Sequence, residues 1–240
     1  MSEFDGKLVV LTGVGRAGQA GEIIARAFAA RGAVLALLDV SETEVIARAR
    51  ELRENGFVAT AHAVDLSDAT ETERVAREVL AAHPGARGAV HALINAAGGF
   101  GMTGPLDGSD PAQWRRMFTI SADTAYCATR AFLPALRGGQ GSIVYFASAA
   151  SLPGGKVGGM AAYAGAKSAV LTLMRSVAQD EREHGVRANA VAPVAIRTAA
   201  NIESMGDKDS FVDRESVADV LLFLCSAAAR NVSGQVVELA

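Results

Sequence analysis

From end to end, the chain alternates short apolar runs with longer stretches of helical spacing. The runs are "KLVVLTG" (7–13), "GAVLALLD" (32–39), "FVATAHAVD" (57–65), "AVHALIN" (89–95), "SIVYFAS" (142–148), "VRANAVAP" (186–193) and "GQVVEL" (234–239). Val, Ile and Leu in unbroken runs, without polar alternation, read as strands covered on both faces. Between the runs, Ile23, Ile24, Ala27 and Phe28 share one helical face. "SETEVIARARELRENG" opens on a Ser41 N-cap and closes on Gly56. Further helices are predicted over 68–83, about 110–136, 160–184 and 214–229. Strands alternating with helices through right-handed crossovers predict an α/β fold, a doubly wound parallel sheet of about seven strands with helices on both faces. Ligands then sit at the carboxyl ends of the strands. Nothing resembling a linker, repeat or low-complexity tract interrupts residues 1–240, so a single domain is expected, with 198–214 as a short lid segment.

Composition narrows the partners. With 240 residues, half of them hydrophobic, the chain can bury a substantial core. Its 23 basic and 26 acidic residues leave no basic stripe for nucleic acid or an anionic membrane. "MSEFDGKLVV" is acidic where a secretory signal is positively charged, and no run approaches the roughly 20 apolar residues that span a bilayer. A cytoplasmic protein is expected, with Cys127 and Cys225 as two buried reduced thiols. The four histidines are scattered without ligand spacing, so no metal site is predicted.

The first strand runs into "LTGVGRAGQAGE" (11–22). Gly13, Gly15 and Gly18 spell G-x-G-x-x-G, and a glycine turn between strand and helix suits a Rossmann-type dinucleotide site. Glycine lets backbone approach a pyrophosphate, while the helix N-terminus offers free N–H groups and positive potential. Asp39 closes the second strand, where its carboxylate suits the adenosine ribose hydroxyls and repels a 2′-phosphate. At an effective dielectric near 20, like charges ~4 Å apart cost about 4 kcal/mol. Arg16, inside the turn, favours such a phosphate. The fixed position of Asp39 at a strand end selects NAD, with NADP as the alternative.

Three more motifs follow in order: "INAAG" (94–98) ends the fourth strand, "SIVYFAS" the fifth, and "YAGAK" (163–167) opens the next helix. With Thr12-Gly13 they resemble the short-chain dehydrogenase/reductase family over essentially the whole chain. That family's turn reads Thr-Gly-x-x-x-Gly-x-Gly. Aligning back from "ARAFAARGA" puts its last glycine at Gly21, so this turn is similar with two residues inserted, and Gly13, Gly15, Arg16, Gly18 and Ala20 form an enlarged loop. The resemblance further implies that Asp65 and Leu66 hold the adenine and that Asn95, Ala96, Ala97 and Gly98 pass under the nicotinamide-side ribose. It also places Pro193, Ile196 and Thr198 of "VAPVAIRT" beside the nicotinamide. For Asp65 the helix-capping reading stays open. Val194 stands where the family has glycine.

The chemistry implied is hydride transfer between a nicotinamide and a secondary alcohol or ketone. Tyr163 and Lys167, four residues apart, neighbour each other on one helix face. Lowering a phenol from about 10 to about 7 takes roughly 4 kcal/mol, about what one ammonium ~4 Å away supplies. By resemblance, Lys167 also binds the nicotinamide ribose. Ser148, at the strand end, is expected to steady the substrate oxygen, in preference to Ser151 in the following loop. Ser121 occupies the family's asparagine position in the proton relay. Gly99 to Pro105 and Leu152 to Met160 are expected to wall the substrate cleft, which the short lid and the terminal "VVELA" suggest is open. Two other readings stand: an NADPH-dependent 3-ketoacyl-type reductase, and a nucleotide-binding scaffold or inactive partner subunit in a mixed oligomer. The resemblance implies a homodimer or homotetramer built on the 110–136 and 160–184 helices.

Overall fold

A computed structural model describes residues 2–240. Seven parallel strands form one sheet: β1 (Leu8–Thr12), β2 (Val34–Asp39), β3 (Ala59–Ala63), β4 (Ala92–Asn95), β5 (Ser142–Phe146), β6 (Arg187–Pro193) and β7 (Val236–Leu239), in the order β3-β2-β1-β4-β5-β6-β7. Each apolar run contributes one strand, and β1, β4 and β5 are buried at every position. The helices are α1 (Ala20–Ala30), α2 (Glu42–Glu54), α3 (Ala69–Ala82), α4 (Pro111–Phe118), α5 (Thr124–Gly139), α6 (Ala161–Asp180), α7 (Ala199–Met205) and α8 (Arg214–Cys225). One core lies between the sheet and α1, α2 and α8; the other lies under α3, α5 and α6. The winding reverses between β1 and β4, where Thr12 pairs with Asn95. That reversal opens a crevice at the carboxyl ends of these strands. Among the described residues no helix is long and apolar enough to cross a membrane.

Local departures have local causes. The helix expected over 110–136 is two helices, α4 and α5, joined by a π turn at Thr119–Asp123. Apolar spacing continues through such a turn, which hides it from periodicity. Ser41 is the N-cap of α2, yet its side chain makes no cap hydrogen bond. Its backbone N–H donates instead to the Asp39 carboxylate at 3.0 Å. The helices expected to reach His184 and Ala229 stop at Asp180 and Cys225 and finish in short 3₁₀ turns. Both cysteines are free; Cys127 is buried, whereas Cys225, on the last residue of α8, is only partly covered.

Candidate active site

The site is assembled where β1, β4, β5 and β6 end. Thr12, at the end of β1, is buried, and its hydroxyl oxygen accepts from the N–H groups of Ala96 (3.1 Å) and Ala97 (3.0 Å) while donating to the Ile94 carbonyl at 3.3 Å. One hydroxyl thus ties the first glycine turn to the Asn95–Gly98 segment. Gly13 follows at φ 68°, so close to that segment that a side chain there would begin 2.6 Å from the Ala97 Cα. Gly21 is the tightest contact between α1 and the turn: a Cβ would lie 2.7 Å from the Val14 Cα. A side chain at this position would push α1 away from the glycine turn.

The enlarged loop between Gly13 and Gly21 is pinned at three points. The Gly15 N–H donates to Asp39 at 2.9 Å and the Gly18 N–H to Glu22 at 2.7 Å. The Ala199 N–H, at the start of α7, donates to the Gly18 carbonyl at 2.9 Å. Glu22 itself lies 3.6 Å from Arg26 and 3.7 Å from the buried Arg48. Sequence reasoning missed Glu22, although an acid in the first turn of a helix, reaching back to an N–H ahead of it, is a recognisable capping signal. Arg16 is exposed on the loop.

Asp39 already accepts one backbone N–H on each oxygen, from Gly15 and Ser41. A carboxylate has about four acceptor sites, so room remains for hydroxyls. Asp65 is exposed, and its carboxylate turns inward to the N–H (2.9 Å) and hydroxyl (2.7 Å) of Ser67, bonds that hold it below the usual carboxylate range. The capping reading of Asp65 fails, because Asp68 is the N-cap of α3 and accepts from Thr70 and Glu71. Leu66 is buried beside it. Pro193 ends β6, Ile196 bridges to Val212, and buried Thr198 caps α7 through the Asn201 N–H at 3.2 Å. Val194, 53% exposed, carries no left-handed φ. The strand leaves the sheet there without needing glycine.

Ser148 neighbours Tyr163, while Lys167 and Ser121 meet beside Gly98. Ser148 is buried at the end of β5, while Ser151 donates its hydroxyl to the Ser148 carbonyl at 2.6 Å. Burial pushes the Tyr163 phenol up, and the neighbouring Ser148 hydroxyl pulls it partway down. The expected lowering of Tyr163 by Lys167 is therefore absent from the protein alone. Lys167 is fully buried and spends one N–H on the Phe146 carbonyl at 2.7 Å. Burial lowers its ammonium to about 8. A side chain on Gly98 would begin 3.3 Å from the Lys167 Nζ and 3.6 Å from the Ser121 Oγ. Ser121 lies on the π turn, and its buried hydroxyl has no hydrogen-bond partner among the described residues; neither has the Asn95 Oδ1. Wide helical turns of this kind recur at functional sites because they displace one residue from the regular ladder.

The ammonium of Lys167 has a sign that can be tested. Its pKa falls from 10.5 to about 8 on folding, so the unfolded chain binds the proton more tightly. The cost is therefore fully present below pH 8 and is relieved as pH rises toward 10.5. Lys167→Met is expected to melt ~3–6 °C above the parent at pH 6.5, with the gap closing by pH 10. Thermal scans at the two pH values check this, and a gap that widens with pH contradicts it.

A family model described as enoyl-(acyl carrier protein) reductase matches residues 13–239. An uncharacterized short-chain type dehydrogenase/reductase of Sinorhizobium fredii is 31% identical over 98% of this chain and 96% of its own length. The chain belongs to the short-chain dehydrogenase/reductase family. The meso-2,3-butanediol dehydrogenase of Serratia marcescens is 33% identical, over 96% of this chain and 92% of that protein. A solved short-chain type dehydrogenase/reductase from Mycobacterium ulcerans superposes with a TM-score of 0.89 at 26% identity, covering 100% of this chain and 90% of the other.

As a short-chain dehydrogenase/reductase the protein is an oxidoreductase, and its residues fit the dinucleotide that such enzymes use. The glycine loop opens α1, Asp39 keeps free acceptor sites, and two buried polar atoms, on Asn95 and Ser121, await partners.

Proposed function

We propose that this short-chain dehydrogenase/reductase interconverts a secondary alcohol and a ketone with NAD(H), using Tyr163 as general acid and base. The observation that carries this reading is the convergence of Ser148, Tyr163 and Lys167 at the carboxyl edge of β5, beside the crevice between β1 and β4. The butanediol dehydrogenase relative, which by its name acts on a secondary alcohol, supports the reaction class.

Asp39 would hold the adenosine ribose, the loop 13–21 the pyrophosphate, and Asn95 to Gly98 with Lys167 the second ribose. The bound nicotinamide supplies or accepts the hydride. Ser148 donates its hydroxyl to the substrate oxygen and fixes it against Tyr163. Tyr163 gives a proton to that oxygen in reduction and takes one from it in oxidation. A phenol pushed up by burial is a competent acid but a poor base. Lys167 supplies the correction once its charge is fixed near the phenol, since one ammonium ~4 Å away offsets roughly 4 kcal/mol at a dielectric near 20. The Ser121 hydroxyl, without a partner among the described residues, and the Lys167 Nζ both lie within 3.6 Å of a Cβ built on Gly98, so Ser121 would hold there the water through which the proton leaves.

NAD is favoured over NADP because Asp39 is locked by two backbone bonds, whereas Arg16 is exposed. NADH is expected to bind at least ~10²-fold tighter than NADPH, from like-charge repulsion at Asp39. An NADPH preference that disappears in Arg16→Ala overturns that choice. Running a panel of carbonyls and alcohols with both nicotinamides tests the whole reading. NADH binding without turnover, until a partner subunit is added, favours the scaffold instead.

We further place the enzyme in the cytoplasm, where Cys127 and Cys225 stay reduced, as a homodimer or homotetramer. A groove of about 570 Å³ runs along α6 from Leu152 to Arg175, and Trp114 lies 42% exposed beside α6. A second copy covering these surfaces gives a dimer or tetramer by light scattering, and a monomer at micromolar concentration contradicts it.

A further inference from the structure

We propose that the substrate carries its reacting carbon on an apolar body, a chain or ring of at least five carbons, and that Phe100 selects it. This rests on Tyr163 being the acid and base, as argued above. The Phe100 ring stands edge-on to the Tyr163 ring, with centroids 5.1 Å apart and planes at 75°, and it is nonetheless 57% exposed. Met102 (57%), two residues further along the same segment, extends this exposed apolar lip. A lip of this kind on a mobile loop would fold away, but this one is held in place. The N–H groups of Thr103 and Gly104 both donate to the Gly159 carbonyl, at 2.8 and 3.2 Å. The Met102 Cε rests 3.1 Å from where a side chain on Gly159 would begin. The segment that carries Phe100 and Met102 is thereby fastened to Gly159, four residues ahead of Tyr163.

The lip offers little to a hydroxylated substrate. Over Gly99–Pro105 and Leu152–Met160 the only side chains with hydrogen-bonding groups are Thr103 and Lys156, and the Thr103 hydroxyl is directed to the Gly159 carbonyl at 3.4 Å. A polyol entering here loses water from its spare hydroxyls and finds only the exposed Lys156 ammonium in its place. An alkyl or alicyclic body instead removes the exposed Phe100 and Met102 from water together with itself.

The test uses the full chain with saturating NAD⁺ and measures kcat/KM for 2-butanol, 2-hexanol and 2-octanol, with meso-2,3-butanediol and galactitol alongside. The expected result is a rise of about threefold per methylene, roughly eightyfold from four to eight carbons. Galactitol is expected at least ~10²-fold below 2-octanol. In Phe100→Ala the rise shrinks to less than a third, and Phe100→Leu restores most of it. A flat or falling series, or galactitol ahead of 2-octanol, overturns the proposal while leaving the oxidoreductase standing. If none of the five is oxidised although NADH binds, the role of Tyr163 in alcohol chemistry falls, and the proposal falls with it.

Discussion

Tyr163→Phe is expected to lower kcat by ~10²–10⁴, the usual contribution of a positioned acid and base, while the Kd for NADH changes less than about twofold. The substitution removes one oxygen and keeps the ring, so the edge-on contact with Phe100 and the packing against Met117, Ala162 and Ala166 survive. Stability is expected to change little, because the ring packing is kept and Tyr163 is less buried than Tyr145, whose hydroxyl bonds Thr129 in the core. Stopped-flow turnover and NADH fluorescence titration separate the two effects. Full turnover in Tyr163→Phe would assign the proton to another group. Ser148→Ala is expected to lose about 10²-fold, since a hydroxyl that steadies the developing charge acts mainly in the transition state.

Gly13→Ala is expected to weaken NADH at least tenfold and to lower the melting temperature by ~5–10 °C. Two independent costs add. The left-handed φ of 68° costs an alanine about 1–2 kcal/mol. The new methyl also meets the Ala97 backbone at 2.6 and 2.7 Å, and backbone cannot rotate away as a side chain can. Relief requires the segment bound by Thr12 to move, and with it the floor of the second ribose site. At roughly 2–4 °C per kcal/mol for a chain of this size, a loss near 3 kcal/mol gives the expected shift. Parent-like melting combined with parent-like NADH affinity would mean that Gly13 is not held against Ala97.

The sheet was legible because a strand buried on both faces writes itself as an apolar run, and all seven runs became strands. The doubly wound class followed from crossover handedness, which is a property of every such chain, whereas the order β3-β2-β1-β4-β5-β6-β7 came with the structure. The preference for Ser148 over Ser151 assumed that it closes the strand, whereas β5 ends at Phe146 and Ser148 caps the 3₁₀ turn that contains Ser151. What escaped reading depends on contacts far apart in sequence or on small changes in helical winding. The π turn at 119–123 keeps the apolar spacing of its neighbours, so periodicity passes over it. The pairing of Phe100 with Tyr163 joins positions 63 residues apart, and no local pattern announces it. The upward shift of the Tyr163 phenol is a burial effect, visible only once α6 is seated against β5. Helix spacing alone placed Lys167 beside Tyr163, but the nearer claim on its N–H groups is the Phe146 carbonyl.

The most direct measurement is a crystal structure of the chain grown with NAD⁺. Predicted is a dinucleotide lying across the carboxyl ends of β1 and β4, its adenosine ribose on Asp39, with the Tyr163 hydroxyl facing the nicotinamide ring beside Ser148. Density elsewhere on the molecule, or a phenol turned away from the ring, contradicts the assignment of Tyr163 as the group that exchanges the proton.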